Sequence, residues 1–217
     1  QCMMLGESKK YRIRMSGALL VLSNGIGLAE VLLSEDPKGV LLLTPLNLLI
    51  SAGVLSANHS KWTNKQIYML IAVAIVGFFM EVIGVKTGVV FGEYFYEDTL
   101  GWKLMDVSVI IGLNWALLCY FAIYTFDKFI DNKLLLALIS SLFLVFLDLL
   151  IEPIAIQYDF WEWKSEEIPV QNFIAWWLLA FIFSWGITFV KDKSQNKVAI
   201  YLLVIQVLFF GILNLVK

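Results

Sequence analysis

The chain has 217 residues, of which 60% are hydrophobic and only 16% are charged, and its mean hydropathy is +0.80. Soluble globular domains are far less apolar and carry about a quarter charged residues, so the composition excludes that class and predicts a membrane protein. The formal net charge is −2, no nucleic-acid partner is expected, and one histidine with two cysteines cannot build a metal site.

Seven apolar segments are each about as long as a helix needs to cross a hydrocarbon core of ~30 Å. Because the links between them are short, the predicted fold is all-α, a single polytopic membrane bundle over residues 1–217. Such a multi-pass protein is expected in the cell (inner) membrane. The predicted spans are 15–34, 39–57, 67–90, 104–126, 134–157, 171–190 and 198–216.

The lysines and arginines divide unequally between the two ends of these spans. Cytoplasmic loops carry an excess of Lys and Arg, so the division predicts a cytoplasmic N-terminus and a C-terminus outside. Eleven lie on the side of the N-terminus: Lys9, Lys10, Arg12, Arg14, Lys61, Lys65, Lys128, Lys133, Lys191, Lys193 and Lys197. Five lie on or near the other side: Lys38, Lys86, Lys103, Lys164 and Lys217.

The third and fifth predicted spans each carry a carboxylate deep in apolar sequence. Glu81 lies fifteen residues beyond Gln66, and Asp148 lies fifteen residues beyond Lys133, both counted from the cytoplasmic boundary. At 1.5 Å per residue both reach the same depth, roughly 22 Å into the bundle. A charged side chain inside a bilayer is costly, so the shared depth is the first indication of function.

Asp148 has a second acid, Glu152, four residues later and therefore on the same helix face. Two carboxylates one turn apart in a low dielectric cannot both ionise at low cost, so the pair is expected to hold a proton near neutral pH. A proton donor beside a carboxylate base is suited to general acid–base catalysis. Pro153 also removes one helical hydrogen bond and leaves the carbonyl of Leu149 free to hold a water.

Two further acids reach a similar outer level, Glu30 in the first span and Asp106, which is expected to begin the fourth. Both lie near span ends, where an acid that faces the headgroup layer is ordinary. Two loops, 91–103 and 158–170, are expected to lie over the acids, and both alternate aromatic with acidic residues. An aromatic belt at the membrane interface also explains their tryptophans. Three glycines four residues apart, at 84, 88 and 92, indicate close helix packing.

An ordered set of short motifs runs through residues 77 to 180. They are Glu81-x-x-Gly84-x-x-Thr87-Gly88-x-x-Phe91-Gly92-x-Tyr94-x-Tyr96, Leu100-Gly101, Trp115, Asp148, Glu152-Pro153, Trp161-x-Trp163 and Pro169-x-x-Asn172-Phe173-x-x-Trp176. As a set they resemble the integral-membrane carotenoid hydratases, a family that includes γ-carotene 1′-hydratase and bisanhydrobacterioruberin hydratase. The chain departs from that pattern where Glu152-Pro153 replaces Asp-Pro, where Val107-Ser108 replaces Val-Pro, and where Asn114 replaces the usual alanine before Trp115.

The resemblance implies hydration of the terminal 1′,2′ double bond of an acyclic ψ end group. An acid protonates C2′, a tertiary carbocation forms at C1′, and a water assisted by a base adds there. This chemistry requires no redox cofactor and no metal. The expected substrate is a lipid-soluble carotenoid, γ-carotene or lycopene-like, so the site should open sideways into membrane lipid.

The resemblance also implies residue roles. Glu81 and Asp148 are expected to be the principal acid and base, in unassigned order, while Glu152 tunes the proton or holds a water. The expected substrate-binding side chains form a lid that steadies the cation (Tyr94, Tyr96, Trp161, Trp163), hold water or orient a carboxylate (Asp106, Asn172), or complete the set (Trp115, Trp176). Asn172 could alternatively be only a helix N-cap.

Three other classes remain as alternatives. A membrane prenyltransferase would use Asp148-x-x-x-Glu152 and Asp127-x-x-x-Asp131, but these lie on opposite sides and the outer one lacks a basic cluster for diphosphate. A proton-coupled transporter would need a polar path, yet the inner half of the third and fifth spans is apolar. The seventh span has no lysine for a retinal Schiff base, which leaves a non-covalent carotenoid-binding protein. A homo-oligomer stays possible.

Overall fold

The computed structural model describes residues 2–165, 167–192 and 196–216, and it describes no side chain for residues 2–6, 8 and 9. Lys193 and Lys217, which contribute to the predicted orientation, lie outside the described residues, as does the side chain of Lys9. The orientation of the bundle stays a prediction.

Helices make up most of the described chain, as predicted. Seven are long and one is a single turn: α1 (Cys2–Leu33), α2 (Lys38–Leu41), α3 (Thr44–Asn58), α4 (Asn64–Thr87), α5 (Ile110–Phe126), α6 (Lys133–Gln157), α7 (Val170–Val190) and α8 (Lys197–Val216). Within the described ranges, five helical segments are long and apolar enough to cross a membrane: Lys10–Leu33 within α1, and all of α4, α6, α7 and α8. The chain is therefore a multi-pass helical membrane protein.

The two remaining predicted spans are shorter than expected, so the described helices do not establish a count of seven. The second predicted span, 39–57, is divided into α2 and α3, and α3 has only 15 residues. Pro45 lies in the first turn of α3, where a proline is tolerated because its missing N–H would have no helical partner. The fourth predicted span, 104–126, becomes helical only at Ile110, and α5 has 17 residues.

The ends of α4 are set by local side-chain and backbone chemistry. The Thr63 hydroxyl accepts a hydrogen bond from the backbone N–H of Gln66, and the backbone N–H of Thr63 donates one to Oε1 of Gln66, which is a capping box. Gly88 ends the helix with a positive φ of 67°, a conformation that glycine adopts without strain. The glycine repeat is therefore not one helix-packing stripe, and that interpretation is wrong for Gly88 and for Gly92, which follows the helix.

Among the residues that the structure describes, four short strands lie in segments that were predicted to be loops or helix. They are β1 (Tyr94–Tyr96), β2 (Lys103–Leu104), β3 (Val107–Ser108) and β4 (Trp161–Trp163). β2 and β3 form a hairpin whose turn residues, Met105 and Asp106, both have positive φ. A two-residue turn of this kind matches the twist of paired strands, so the chain cannot begin its helix here.

β1 and β4 join the two aromatic loops into one antiparallel ribbon. Tyr94 lies opposite Trp163, and Tyr96 lies opposite Trp161. Because side chains alternate along a strand, these four rings share the inner face of the ribbon, whereas Phe95 and Glu162 are exposed on the other. The ribbon therefore covers the end of the bundle where the acidic side chains lie.

The helix α5 occupies the centre of the bundle and contacts α3, α4, α6, α7 and α8. The indole side chain of Trp115, on α5, is fully buried and packs against Gly77 of α4. A Cβ atom at residue 77 would lie 2.8 Å from the Trp115 ring, so only glycine lets the two helices approach this closely. The close approach brings the Trp115 side chain within reach of α4 at the level of the acids.

Candidate active site

Glu81 is a buried carboxylate on α4 that accepts three hydrogen bonds. Its Oε2 atom accepts from the hydroxyl of Tyr94 at 2.5 Å and from the hydroxyl of Tyr96 at 2.9 Å. Its Oε1 atom accepts from Nε1 of Trp115 at 3.0 Å. Burial raises the pKa of both tyrosines well above the usual value, so both keep the proton that they donate.

Glu152 on α6 is the second buried carboxylate and also accepts three hydrogen bonds. Its Oε2 atom accepts from Nε1 of Trp161 at 3.0 Å and from Nε1 of Trp163 at 2.9 Å. Its Oε1 atom accepts from the side-chain amide of Asn172 at 3.0 Å. The ribbon thus supplies donors to both acids, tyrosines from β1 to Glu81 and tryptophans from β4 to Glu152.

Asp148, one turn before Glu152 on α6, is fully buried. The amide nitrogen of Asn172, which also donates to Glu152, donates to Oδ2 of Asp148 at 3.1 Å. The Oδ1 atom of Asp148 has no hydrogen-bond partner among the described residues. Pro169, rather than Asn172, is the N-cap residue of α7, so the N-cap interpretation of Asn172 is wrong.

A small chamber of about 30 Å³ lies between Glu81 and Glu152. Its volume exceeds the roughly 10–15 Å³ that one water molecule needs. Asp148 does not line it. The lining side chains are those of Glu81, Phe91, Tyr94, Tyr96, Ile111, Asn114, Ile151, Glu152, Trp161, Trp163, Asn172 and Trp176.

A larger cavity of about 120 Å³ adjoins this chamber. Both are lined by Ile111, Asn114, Ile151 and Trp161, so the two spaces meet at these side chains. The rest of the larger cavity is mostly apolar, with leucine, isoleucine and phenylalanine side chains from α3, α5, α6 and α8. An apolar cleft therefore leads to the carboxylates.

No cation neutralises the acids in the part of the chain that the structure describes. Lysine and histidine side chains form ion pairs with other carboxylates, but none pairs with Glu81, Asp148 or Glu152. Three buried carboxylates from two helices are instead surrounded by neutral N–H and O–H donors. An uncompensated charge of this kind is costly in a low dielectric, which favours bound protons in the cluster.

A family model described as carotenoid biosynthesis protein matches residues 43–217. The chain belongs to this family. The match includes every side chain of the site described above, whereas α1 and α2 precede it. No curated protein and no solved structure matches the chain. Family membership gives this multi-pass membrane protein a role in carotenoid biosynthesis.

The fold places most of the side chains that the sequence predicts for the site in or next to the chamber. The exception is Asp106, which lies at the tip of the β2–β3 hairpin with a side chain that is 70% exposed. It forms an ion pair with Lys86, and this neighbour lowers the pKa of the Asp106 carboxyl. The prediction that Asp106 begins a helix and serves the site is therefore corrected, because the hairpin turns it toward the solvent. Glu30 on α1 is also exposed.

Replacing Asp106 by asparagine should leave carotenoid conversion by this family member within about twofold of the wild type. An exposed ion pair contributes little to stability, and the side chain does not line the chamber. Pigment extracted from a carotenoid-producing host that expresses each variant provides the measurement. Loss of most of the product would show that the Asp106 carboxylate is needed for conversion and would contradict this prediction.

The aromatic side chains have a role that their sequence pattern does not indicate. The prediction was that their rings steady a cation, whereas the contacts here use the polar edges of Tyr94, Tyr96, Trp161 and Trp163. Trp176 contacts neither acid through a hydrogen bond and stacks on Trp115, with ring centroids 4.2 Å apart. Asn114, which lines both cavities, was not predicted as a site residue, although an amide replacing an alanine was the available signal.

Proposed function

We propose that the chain is a carotenoid hydratase that adds water across the terminal 1′,2′ double bond of an acyclic ψ end group. The observation that carries this proposal is the pair of buried carboxylates facing a water-sized chamber beside an apolar cavity. Such a site offers what alkene hydration requires, namely carboxyl groups that can give and take a proton, space for one confined water and room for a hydrocarbon. The reaction needs no redox cofactor.

In the proposed mechanism, Glu81 and Glu152 are the acid and base at the chamber, in unassigned order. The protonated carboxyl delivers its proton to C2′, and the electron pair of the double bond forms the new C–H bond. The resulting tertiary cation at C1′ is attacked by water, and the ionised carboxylate takes the proton that the water loses. Each turnover exchanges the roles of the two acids, so proton transfer between them must follow.

Asp148 has a different place in this proposal from the one expected from sequence. It does not line the chamber, but it shares the amide of Asn172 with Glu152. After each turnover the proton that water loses returns from one chamber acid to the other, and Asp148 would share a proton with Glu152 and so set how readily Glu152 gives or takes one during this transfer. Asn172 would fix the spacing of the two carboxylates during that transfer.

The four inner rings of the ribbon would also stabilise the cation. They line the chamber or its edge, and an aromatic face attracts a nearby cation, most strongly when water is absent. Their N–H and O–H groups are already committed to the acids, so their faces remain available to the substrate. The end group would reach them through the larger cavity, entering sideways from the lipid.

Expression of the chain in a host that accumulates lycopene or γ-carotene tests this proposal. We expect a more polar pigment that is heavier by one water for each hydrated end, detected by chromatography and mass spectrometry. The same host with an empty vector is the control. An unchanged pigment would contradict hydration, and a pigment heavier by a prenyl group would indicate prenyl transfer instead.

A further inference from the structure

Asn114 lies where the chamber and the larger cavity meet. It precedes Trp115 on α5, is half-buried, and lines both spaces. Within the described residues its side-chain amide makes no hydrogen bond to protein, although the surrounding surface is mostly apolar. The amide is therefore available to bind a ligand or a water that enters either space.

Apart from the indole N–H of Trp176, which can only donate, the N–H and O–H groups of the other side chains around the chamber are committed to the acids. Tyr94 and Tyr96 donate to Glu81, and Trp161 and Trp163 donate to Glu152. The amide nitrogen of Asn172 donates both of its hydrogens, one to each acid of α6. Among the side chains that line the chamber, Asn114 is therefore the neutral polar group whose donor and acceptor are both uncommitted.

We infer that Asn114 positions the water that adds to the carbocation, an inference that rests on the proposed hydratase function. A water that attacks a cation must direct a lone pair at the carbon, so both of its hydrogens need acceptors elsewhere. One hydrogen is accepted by the carboxylate that will take it as a proton. The other is accepted by Oδ1 of Asn114, and the new C–O bond forms at C1′.

This role predicts a change in the fate of the cation rather than in its formation. A cation that finds no positioned water loses a proton, either from C2′ to regenerate the substrate or from the adjacent methyl group to give an isomeric alkene. In deuterated water the acid delivers deuterium to C2′, so reversal leaves deuterium in the recovered alkene. The ratio of deuterated alkene to alcohol therefore measures how well water competes for the cation.

The experiment incubates membranes containing the full chain with lycopene in deuterated water and measures this ratio by mass spectrometry. Asn114→Leu keeps the branching and the number of side-chain heavy atoms but removes both polar atoms, and it should raise the ratio about tenfold while deuterium incorporation continues. Asn114→Ala should raise the ratio less, because the space released can hold a second water that replaces the amide oxygen.

Asn58→Leu is the matched control. Asn58 is a buried amide on α3 that bonds Ser16 and the carbonyl of Val54, away from both cavities. Its loss should leave the ratio unchanged, and size-exclusion chromatography in detergent reports folding of all variants. If alcohol and deuterium fall together in both Asn114 variants with the ratio unchanged, the inference is overturned while hydration by the wild type stands. If the wild type forms neither product, the hydratase proposal fails and this inference with it.

Discussion

Replacing Glu81 or Glu152 by glutamine is expected to abolish the hydrated pigment, with a loss of at least about a hundredfold for each. Glutamine has nearly the same size and keeps one carbonyl oxygen as an acceptor for the ribbon donors. It cannot deliver a proton to an alkene or remove one from water. The alcohol formed per amount of folded protein, measured in the carotenoid-producing host, is the quantity to compare.

Glu162→Gln is the matched control, since Glu162 lies between Trp161 and Trp163 on β4 but points outward and is exposed. It should retain wild-type conversion. Asp148→Asn tests whether Glu152, as proposed here, or Asp148, as expected from the sequence, is the carboxylate of α6 that reacts. If Asp148→Asn abolishes the product and Glu152→Gln retains it, then Asp148 is the reacting carboxylate, as the sequence alone led us to expect.

Replacing Asn172 by leucine should have the second largest effect, a loss of conversion of about a hundredfold. The substitution removes the amide that both acids of α6 share and leaves an apolar group between two carboxylates. Asp148 would then have no hydrogen-bond partner among the described residues. Misplacing a proton donor by even one ångström is costly in rate, so conversion should fall more than the amount of folded protein does.

Asn58→Leu again supplies the comparison, because it removes a buried amide elsewhere in the bundle. Both variants should lower the temperature of unfolding in detergent, since each removes hydrogen bonds from a buried position. Only Asn172→Leu should lower conversion per folded molecule. Equal conversion per folded molecule in the two variants would mean that Asn172 serves only stability.

The meeting of Glu81 with the acids of α6 could be predicted from sequence because helical rise is regular. Counting from a span boundary gives the depth of a residue, and two acids at one depth in neighbouring helices can meet. The same regularity leaves Asp148 and Glu152 indistinguishable, because residues four apart share one face. Glu152 differs from Asp148 because it accepts hydrogen bonds from Trp161 and Trp163 and lines the chamber, and both features depend on contacts between distant parts of the chain.

The strands were not predicted because their signals are short and their pairing is not local. Residues 104–109 are mostly apolar, so composition alone extends the fourth span through them, whereas the positive φ of Met105 and Asp106 requires a hairpin. Both aromatic loops show alternation, but sequence does not tell that residue 94 pairs with residue 163. Nor does it tell whether a tryptophan uses its ring face or its N–H group, since the residue offers both.

The register of the ribbon has a consequence for how these segments can change in length. Strand side chains alternate with a period of two, so inserting one residue within β1 would exchange the faces of every position beyond it. Phe95 would then replace a tyrosine hydroxyl beneath the ribbon, and Glu81 would lose a donor. Insertions are therefore tolerable in the flanking turns but not inside the strands. Only an even change in the number of residues within β1 or β4 would keep the same side chains facing the two carboxylates.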